Sequence, residues 1–239
     1  IEALDHAGIH NDAKVKFNFI NSEELNSKNY YRVLGKADAI LVPGGFGDRG
    51  IEGMILAAKY ARQKNVPYFG ICLGLQIAII EMSRNLLGLK DANSTEFKSK
   101  IQHKVISLVT EWKNKDGSIE KRSRDSEKGG TMRLGAQNAT LVKGSLAQKL
   151  YKKKTIFERH RHRYEVNPDY VEPLEANGLI VSGRSEFKNL VEIIELKDHP
   201  WFLACQFHPE FTSKPKTGHP LFNDFVAKAV ELKKKNENK

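Results

Sequence analysis

Phe69-Gly70-Ile71-Cys72-Leu73-Gly74-Leu75-Gln76 sets a thiol between two glycines, at the point where a short apolar run gives way to helical spacing. The run before it, Pro67-Tyr68-Phe69, is apolar and partly aromatic, as a parallel strand buried on both faces is. Leu75 to Met82 then resumes with the spacing of a helix. Cys72 is therefore expected on a sharp strand-to-helix turn. Hydrolases use such an elbow to push a nucleophile clear of the backbone, with glycine on either side because a Cβ would collide at close approach. A helix starting just after Cys72 would add free N–H groups and a positive dipole end, which favour thiolate over thiol and can hold an oxyanion. A lone cysteine can equally be a packed core thiol, so its role depends on partners elsewhere in the chain.

Upstream, Ala39-Ile40-Leu41-Val42 is a second fully apolar strand. It runs into Pro43-Gly44-Gly45-Phe46-Gly47-Asp48-Arg49-Gly50, a loop so rich in glycine that its backbone must approach something closely. Ile51, Ile55, Ala58 and Arg62 mark the turns of the helix that follows. Further back, Lys14 to Ile20 alternates as a strand, Ser22 reads as the cap of a helix entering at Glu23-Glu24-Leu25, and Ile1 to Gly8 reads as a helix ending at Gly8. Helices alternating with apolar strands predict an α/β fold with a doubly wound, mainly parallel sheet, in which ligands bind at the carboxyl ends of the strands. Both glycine loops lie there. Such a domain commonly opens on a strand, so a start inside a helix suggests a first strand outside this sequence.

Beyond Asn93-Ser94-Thr95-Glu96 the pattern changes to strands and hairpins, predicting an added antiparallel section. Val105 to Val109 is its first strand, with a turn at Asp116-Gly117, a polar exposed segment from Lys113 to Gly130, and Thr131 to Gly135 leading into another strand. A short helix over Gly144 to Tyr151 precedes a strand from Thr155 to Val166, which carries Glu158-Arg159-His160-Arg161-His162-Arg163-Tyr164-Glu165. So many cations and imidazoles are not buried without anionic partners, so this strand is expected to border a site or an interface. Val191 to Leu196 and Trp201 to Phe207 form a closing strand pair. A helix from about Leu221 to Leu232 completes a single domain over 1–232, and the lysine-rich 233–239 reads as a disordered tail.

Composition narrows the class. The 239 residues, 40% hydrophobic and 28% charged, suit one large soluble domain, and no apolar run is long enough to span a bilayer. The start lacks the basic and apolar regions of a signal peptide. Two cysteines are too few to staple a chain of this size and fit a reducing compartment, the cytoplasm. A net charge of +10 suits acidic or phosphorylated partners, but no zinc-finger spacing or RNA-binding aromatic motif supports nucleic acid, and the His and Cys positions form no metal-ligand spacing.

A thiolate nucleophile needs an imidazole to carry its proton and a third group to orient that imidazole. His208-Pro209-Glu210 supplies both, because on an extended backbone residues two apart point the same way. His160 and His162 are rival bases whose basicity the surrounding cations would depress. An oxyanion hole would use the backbone N–H of Leu73 and one from the glycine loop, that of Gly45.

Pro43-Gly44-Gly45-Phe46-Gly47, Gly70-Ile71-Cys72-Leu73-Gly74 and Phe207-His208-Pro209-Glu210 together resemble the three signatures of the class I glutamine amidotransferases, flavodoxin-like domains with a Cys-His-Glu triad. The stretches 129–135, 158–167 and 204–211 are similar to those of the glutaminase domains of the CTP synthase family. The resemblance implies Cys72 as nucleophile, His208 as base and acid, and Glu210 as the orienting carboxylate. It implies L-glutamine held by Gly45, by Leu73, Gly74, Leu75 and Gln76, by Glu96 and by Arg163. An anion and a cation are what a free amino acid's ammonium and carboxylate require, and Arg161, expected on the same strand face, is an alternative to Arg163. No cofactor is implied in this domain. The partner implied is an N-terminal amidoligase domain of the same polypeptide, using ATP and Mg²⁺ to aminate UTP to CTP, with GTP as activator. A stand-alone cysteine hydrolase of the same fold and a basic binding module are the other readings, separated by turnover of free glutamine and by salt-sensitive nucleic-acid affinity.

Overall fold

The computed structural model of the chain describes residues 1–98, 100–108, 111–113, 119–121, 132–186 and 189–237. The first part alternates helix and strand: α1 (Glu2–His10), α2 (Tyr30–Leu34), β1 (Ile40–Val42), α3 (Ile51–Lys64), β2 (Tyr68–Ile71) and α4 (Leu73–Asn85). There follow β3 (Asn93–Ser94), β4 (Lys104–Leu108), β5 (Glu111–Lys113), β6 (Ile119–Lys121), β7 (Arg133–Leu141), α5 (Leu146–Tyr151) and β8 (Thr155–His162). The last part holds β9 (Tyr164–Val166), α6 (Val171–Ala176), β10 (Leu179–Ser185), β11 (Val191–Leu196), β12 (Phe202–Cys205) and α7 (Pro220–Glu237).

One seven-stranded sheet runs in the order β1-β2-β12-β11-β10-β7-β8. β1, β2 and β12 are parallel, and from β12 outward every pairing is antiparallel. The parallel part needs crossovers, which α3 supplies between β1 and β2, whereas the antiparallel part closes through shorter connections. Strand β2 is buried on both faces, and its neighbouring aromatics enter separate cores. Tyr68 stacks on Phe202, ring centroids 4.4 Å apart, on the face covered by α3 and α4. Phe69 meets Trp201, Phe222 and Phe225 on the other face, under α7. Truncating so buried an aromatic side chain costs roughly 3–5 kcal/mol. A second sheet, β3-β4-β9, packs beside α4 and brings the segments carrying Glu96 and Arg163 to the carboxyl end of β2.

Several elements differ from the sequence expectation. Lys14 to Ile20 forms no ladder among the described residues, although Val15 and Phe17 are half-buried while Lys14 and Lys16 are exposed. Alternation fixes the two faces of an extended segment, but a strand also needs a neighbour in register. The turn at Ser22–Glu24 is a short 3-10 helix capped by Asn21, whose side chain accepts from Glu23 N, and Ser22 is not its cap. Helix α1 continues past Gly8 to His10. The expected strand from Thr155 to Val166 is broken at Arg163 into β8 and β9, which belong to different sheets. Arg161 and Arg163 therefore do not share a strand face. Helix α7 continues through Lys233-Lys234-Lys235, where lysine is a good helix former and Lys233 lies 3.9 Å from Glu237 one turn on. The turn at Asp116-Gly117 and most of the polar segment expected over 113–130 lie outside the described residues.

Candidate active site

Strand β2 ends at Ile71, and Cys72 turns the chain into α4 with φ 53° and ψ −97°. A positive φ is costly for a residue with a side chain and persists only where the surroundings impose it. Here they do. Cys72 N donates to Cys205 O at 2.7 Å, which extends the β2–β12 ladder by one rung, and Tyr68 Oη donates to Gly74 O at 2.9 Å. A Cβ on Gly70 would lie 2.7 Å from the carbonyl group of Gly74, and one on Gly74 would strike Val42 O. The two glycines thus let α4 start directly against β1 and β2.

His208 leaves the end of β12, its N–H donating to Arg159 O at 2.8 Å. Pro209–Thr212 is a 3-10 turn, so it is this turn and not an extended backbone that folds Glu210 back onto the ring. The contact between His208 Nδ1 and Glu210 Oε1 is 2.7 Å. Because a carboxylate only accepts, Nδ1 carries the hydrogen, so that in the neutral ring Nε2 holds the lone pair. The other side of the ring is bounded by Gly44. A Cβ there would fall 2.7 Å from His208 Cε1, 3.4 Å from His208 Nδ1 and 3.6 Å from Cys72 Cβ. The glycine loop, the imidazole and the cysteine converge on that point.

The Cys72 thiol is buried, and burial pushes its pKa up to about 12. The Leu73 N–H pulls it down, while the carboxylates of Glu210, Glu165 and Glu96 push it further up. The N–H at the helix start therefore favours thiolate, as the sequence predicts, but desolvation outweighs it. Gly45 lies against Leu73, since a Cβ on it would stand 3.0 Å from Leu73 Cδ2. At the mouth Glu96 accepts a hydrogen bond from Gly47 N at 3.0 Å. Its pKa is raised by burial, against the lowering pull of Gly47 N–H and of the Arg163 guanidinium. Glu96 thus feels the Arg163 guanidinium, while Arg161 lies exposed over the Phe46 ring.

Behind the elbow lies a polar layer that sequence reasoning did not assemble. Gln76 Nε2 donates to Tyr164 O at 3.2 Å and to Gln206 Oε1 at 3.4 Å, and Gln206 Nε2 donates to Cys72 Sγ at 3.7 Å. Deeper, Arg133 pairs with Glu165 at 3.0 Å and Glu192 at 2.7 Å, and His160 Nδ1 lies 2.9 Å from His162 Nε2. Strand β8 alternates strictly, with Glu158, His160 and His162 inward and Arg159 and Arg161 outward. Burial first, and Arg133 second, hold His160 down to about 3 and His162 well below the usual imidazole range. Burial lifts Glu192 to about 7 despite Arg133. The two histidines are neutral members of a buried network, tied to anions on β9 and β11 that the expectation from β8 alone did not identify. Among the described residues no group of three or more His, Cys, Asp or Glu could hold a metal ion, and no helix is long and apolar enough to cross a membrane.

The profile of the glutamine amidotransferase class-I family matches residues 1–228. A CTP synthase from Buchnera aphidicola subsp. Schizaphis graminum is 56% identical over 238 residues, which are 99% of this chain and 43% of that protein. The chain thus spans less than half the length of this curated relative. Among solved structures, the glutaminase domain of Trypanosoma brucei CTPS with bound acivicin aligns at TM-score 0.86 and 38% identity, over 96% of this chain and 86% of its own. A glutamine amidotransferase from Thermotoga maritima aligns at TM-score 0.51 and 10% identity, over 95% of this chain and 90% of its own, a likeness of fold alone.

Proposed function

The chain belongs to the class-I glutamine amidotransferase family, and from that premise we propose that it hydrolyses L-glutamine with Cys72 as nucleophile, His208 as base and acid, and Glu210 orienting His208. The observation that carries this is the convergence at Gly44, where an imidazole held by a carboxylate at 2.7 Å and a cysteine on a strained elbow border one space.

With glutamine bound, Nε2 of His208 takes the proton from Sγ as sulfur attacks the side-chain carbonyl carbon. The N–H groups of Leu73 and Gly45 hold the oxyanion that forms. The imidazolium returns its proton to the amide nitrogen, the C–N bond breaks, and ammonia leaves a glutamyl thioester. Water then attacks the thioester carbonyl while His208 takes its proton. The C–S bond breaks, and sulfur recovers its proton from His208 as glutamate is released. The sum is glutamine plus water giving glutamate plus ammonia, with no cofactor in this domain. Glu96 receives the substrate's ammonium, Arg163 its carboxylate, and Gly74, Leu75 and Gln76 complete the wall after the nucleophile.

Residues 1–232 act as one glutaminase domain supplying ammonia to an amidoligase domain of the same cytoplasmic polypeptide, as resemblance to the CTP synthase family implies. There ATP and Mg²⁺ activate UTP for amination to CTP, and GTP stimulates the glutaminase. The test is steady-state ammonia release from glutamine by wild type, Cys72→Ala and His208→Ala, each checked for folding. Loss in both variants is expected, and turnover retained by a folded Cys72→Ala protein overturns the proposal.

A further inference from the structure

We infer that Gln206 is a further catalytic residue: its side-chain amide donates to Cys72 Sγ and carries part of the negative charge whenever that sulfur is deprotonated. The inference rests on Cys72 being the nucleophile.

Topology brings the two together. Cys205 on β12 is in register with Ile71 on β2, so the next residue on each strand, Gln206 and Cys72, stand side by side beyond the strand ends. Gln206 is fully buried, and its N–H donates to Glu192 O at 2.9 Å, which fixes its backbone. The orientation of its side chain follows from a chain of acceptors. Tyr164 O can only accept, so Gln76 turns its NH₂ group that way, and the same nitrogen then faces Gln206. Gln206 must answer with its oxygen, which leaves its own NH₂ group 3.7 Å from Cys72 Sγ. A flipped Gln206 would set its NH₂ against that of Gln76 and turn its carbonyl oxygen on the sulfur.

A hydrogen bond to a charged acceptor is roughly twice as strong as one to a neutral acceptor. The amide therefore favours thiolate over thiol, and thiolate over the neutral sulfur of a thioester. Such a donor assists ionisation of the thiol, at some cost in the thiolate's nucleophilicity, and it assists again when sulfur leaves as thiolate in thioester hydrolysis. Leu73 N–H and Gln206 Nε2 are thus two donors to a sulfur that burial otherwise holds as the thiol.

The experiment measures alkylation of Cys72 by iodoacetamide at mildly alkaline pH, read by peptide mass spectrometry, in wild type, Gln206→Met and Gln206→Glu. Near-ultraviolet circular dichroism checks each fold. Loss of a hydrogen bond to a charged acceptor should slow alkylation by roughly fourfold to tenfold in Gln206→Met, the fall in thiolate fraction being partly offset by a more nucleophilic thiolate. Gln206→Glu keeps the side chain's shape but sets a carboxylate beside the thiolate, and should slow it at least as much, which decides the matter if the methionine variant does not fold. Alkylation at the wild-type rate in either folded variant overturns the inference. Because this readout needs no glutamine, it is separate from the proposed activity: hydrolysis surviving in Cys72→Ala would sink the activity and leave the Gln206 contact to be judged by labelling alone.

Discussion

Replacing Gly44 by alanine tests the site with a single methyl group. Gly44 is not among the residues with positive φ, so the backbone accepts alanine, and the objection is purely steric. The new Cβ would stand 2.7 Å from His208 Cε1, about 0.7 Å inside the 3.4 Å at which ordinary contact begins, while Cys72 Cβ at 3.6 Å is undisturbed. The imidazole must therefore move and the nucleophile need not. Its Nδ1 is tied to Glu210, so a shift of that size either stretches the 2.7 Å bond or swings Nε2 away from Sγ. Misplacement by about 1 Å can cost about 100-fold in rate, so kcat should fall by roughly one to two orders of magnitude. KM should stay within a few-fold, because Glu96 and Arg163 lie elsewhere. Stability should change little, since alanine's entropic gain of about 0.4–1 kcal/mol offsets part of the strain. Coupled ammonia release, alongside urea unfolding, reads all three. A Gly44→Ala protein with normal unfolding and kcat within about threefold of wild type would refute the claim that the ring's position is required.

Glu210→Gln keeps an oxygen for His208 Nδ1 but removes the charge that stabilises imidazolium, so kcat should fall by about two orders of magnitude or more, as pH–rate profiles of both proteins would reveal. Arg163→Lys replaces a planar fork by a point charge, and KM for glutamine should rise about tenfold while kcat changes less; an unchanged KM would detach Arg163 from the substrate. His160 and His162, facing Arg133 and His208, are held neutral in the fold but titrate near 6.5 when unfolded. The unfolded chain thus binds more protons below about pH 6.5, and the two imidazoles lower stability as pH falls from there toward about 3. Glu192, raised from 4.5 to about 7, has the opposite sign within that window, because there the folded state holds the extra proton. His160→Gln should therefore flatten the acid side of a plot of urea midpoint against pH, and an unchanged slope would mean that His160 titrates normally.

What was legible in the sequence was local. The elbow could be read because Gly70, Cys72 and Gly74 act within one turn, and the β-α-β-α order because apolar runs and helical spacing are properties of single segments. What could not be read depends on residues distant in sequence. Lys14 to Ile20 alternates correctly but lacks a ladder, and only a neighbouring strand could have decided that. The chain leaves β8 before Arg163 because it changes sheets there, from pairing with β7 to pairing with β4. The inward histidines of β8 are explained by Arg133, Glu165 and Glu192, which reach them from three other strands. Gln206 gave a faint signal, a polar residue between apolar Cys205 and Phe207, but its partner at the elbow is visible only once β12 lies beside β2.

The central claim is that Cys72 is the nucleophile that glutamine meets. A chloroketone analogue of glutamine, followed by digestion and mass spectrometry, tests it directly, because the chain's other cysteine, Cys205, is an internal control, fully buried in the same core as Cys72 with its Sγ 3.4 Å from Phe207 O. The account predicts an adduct on Cys72, none on Cys205, and protection by excess L-glutamine. An adduct on Cys205 in the folded protein, or labelling of Cys72 that glutamine does not slow, would contradict it.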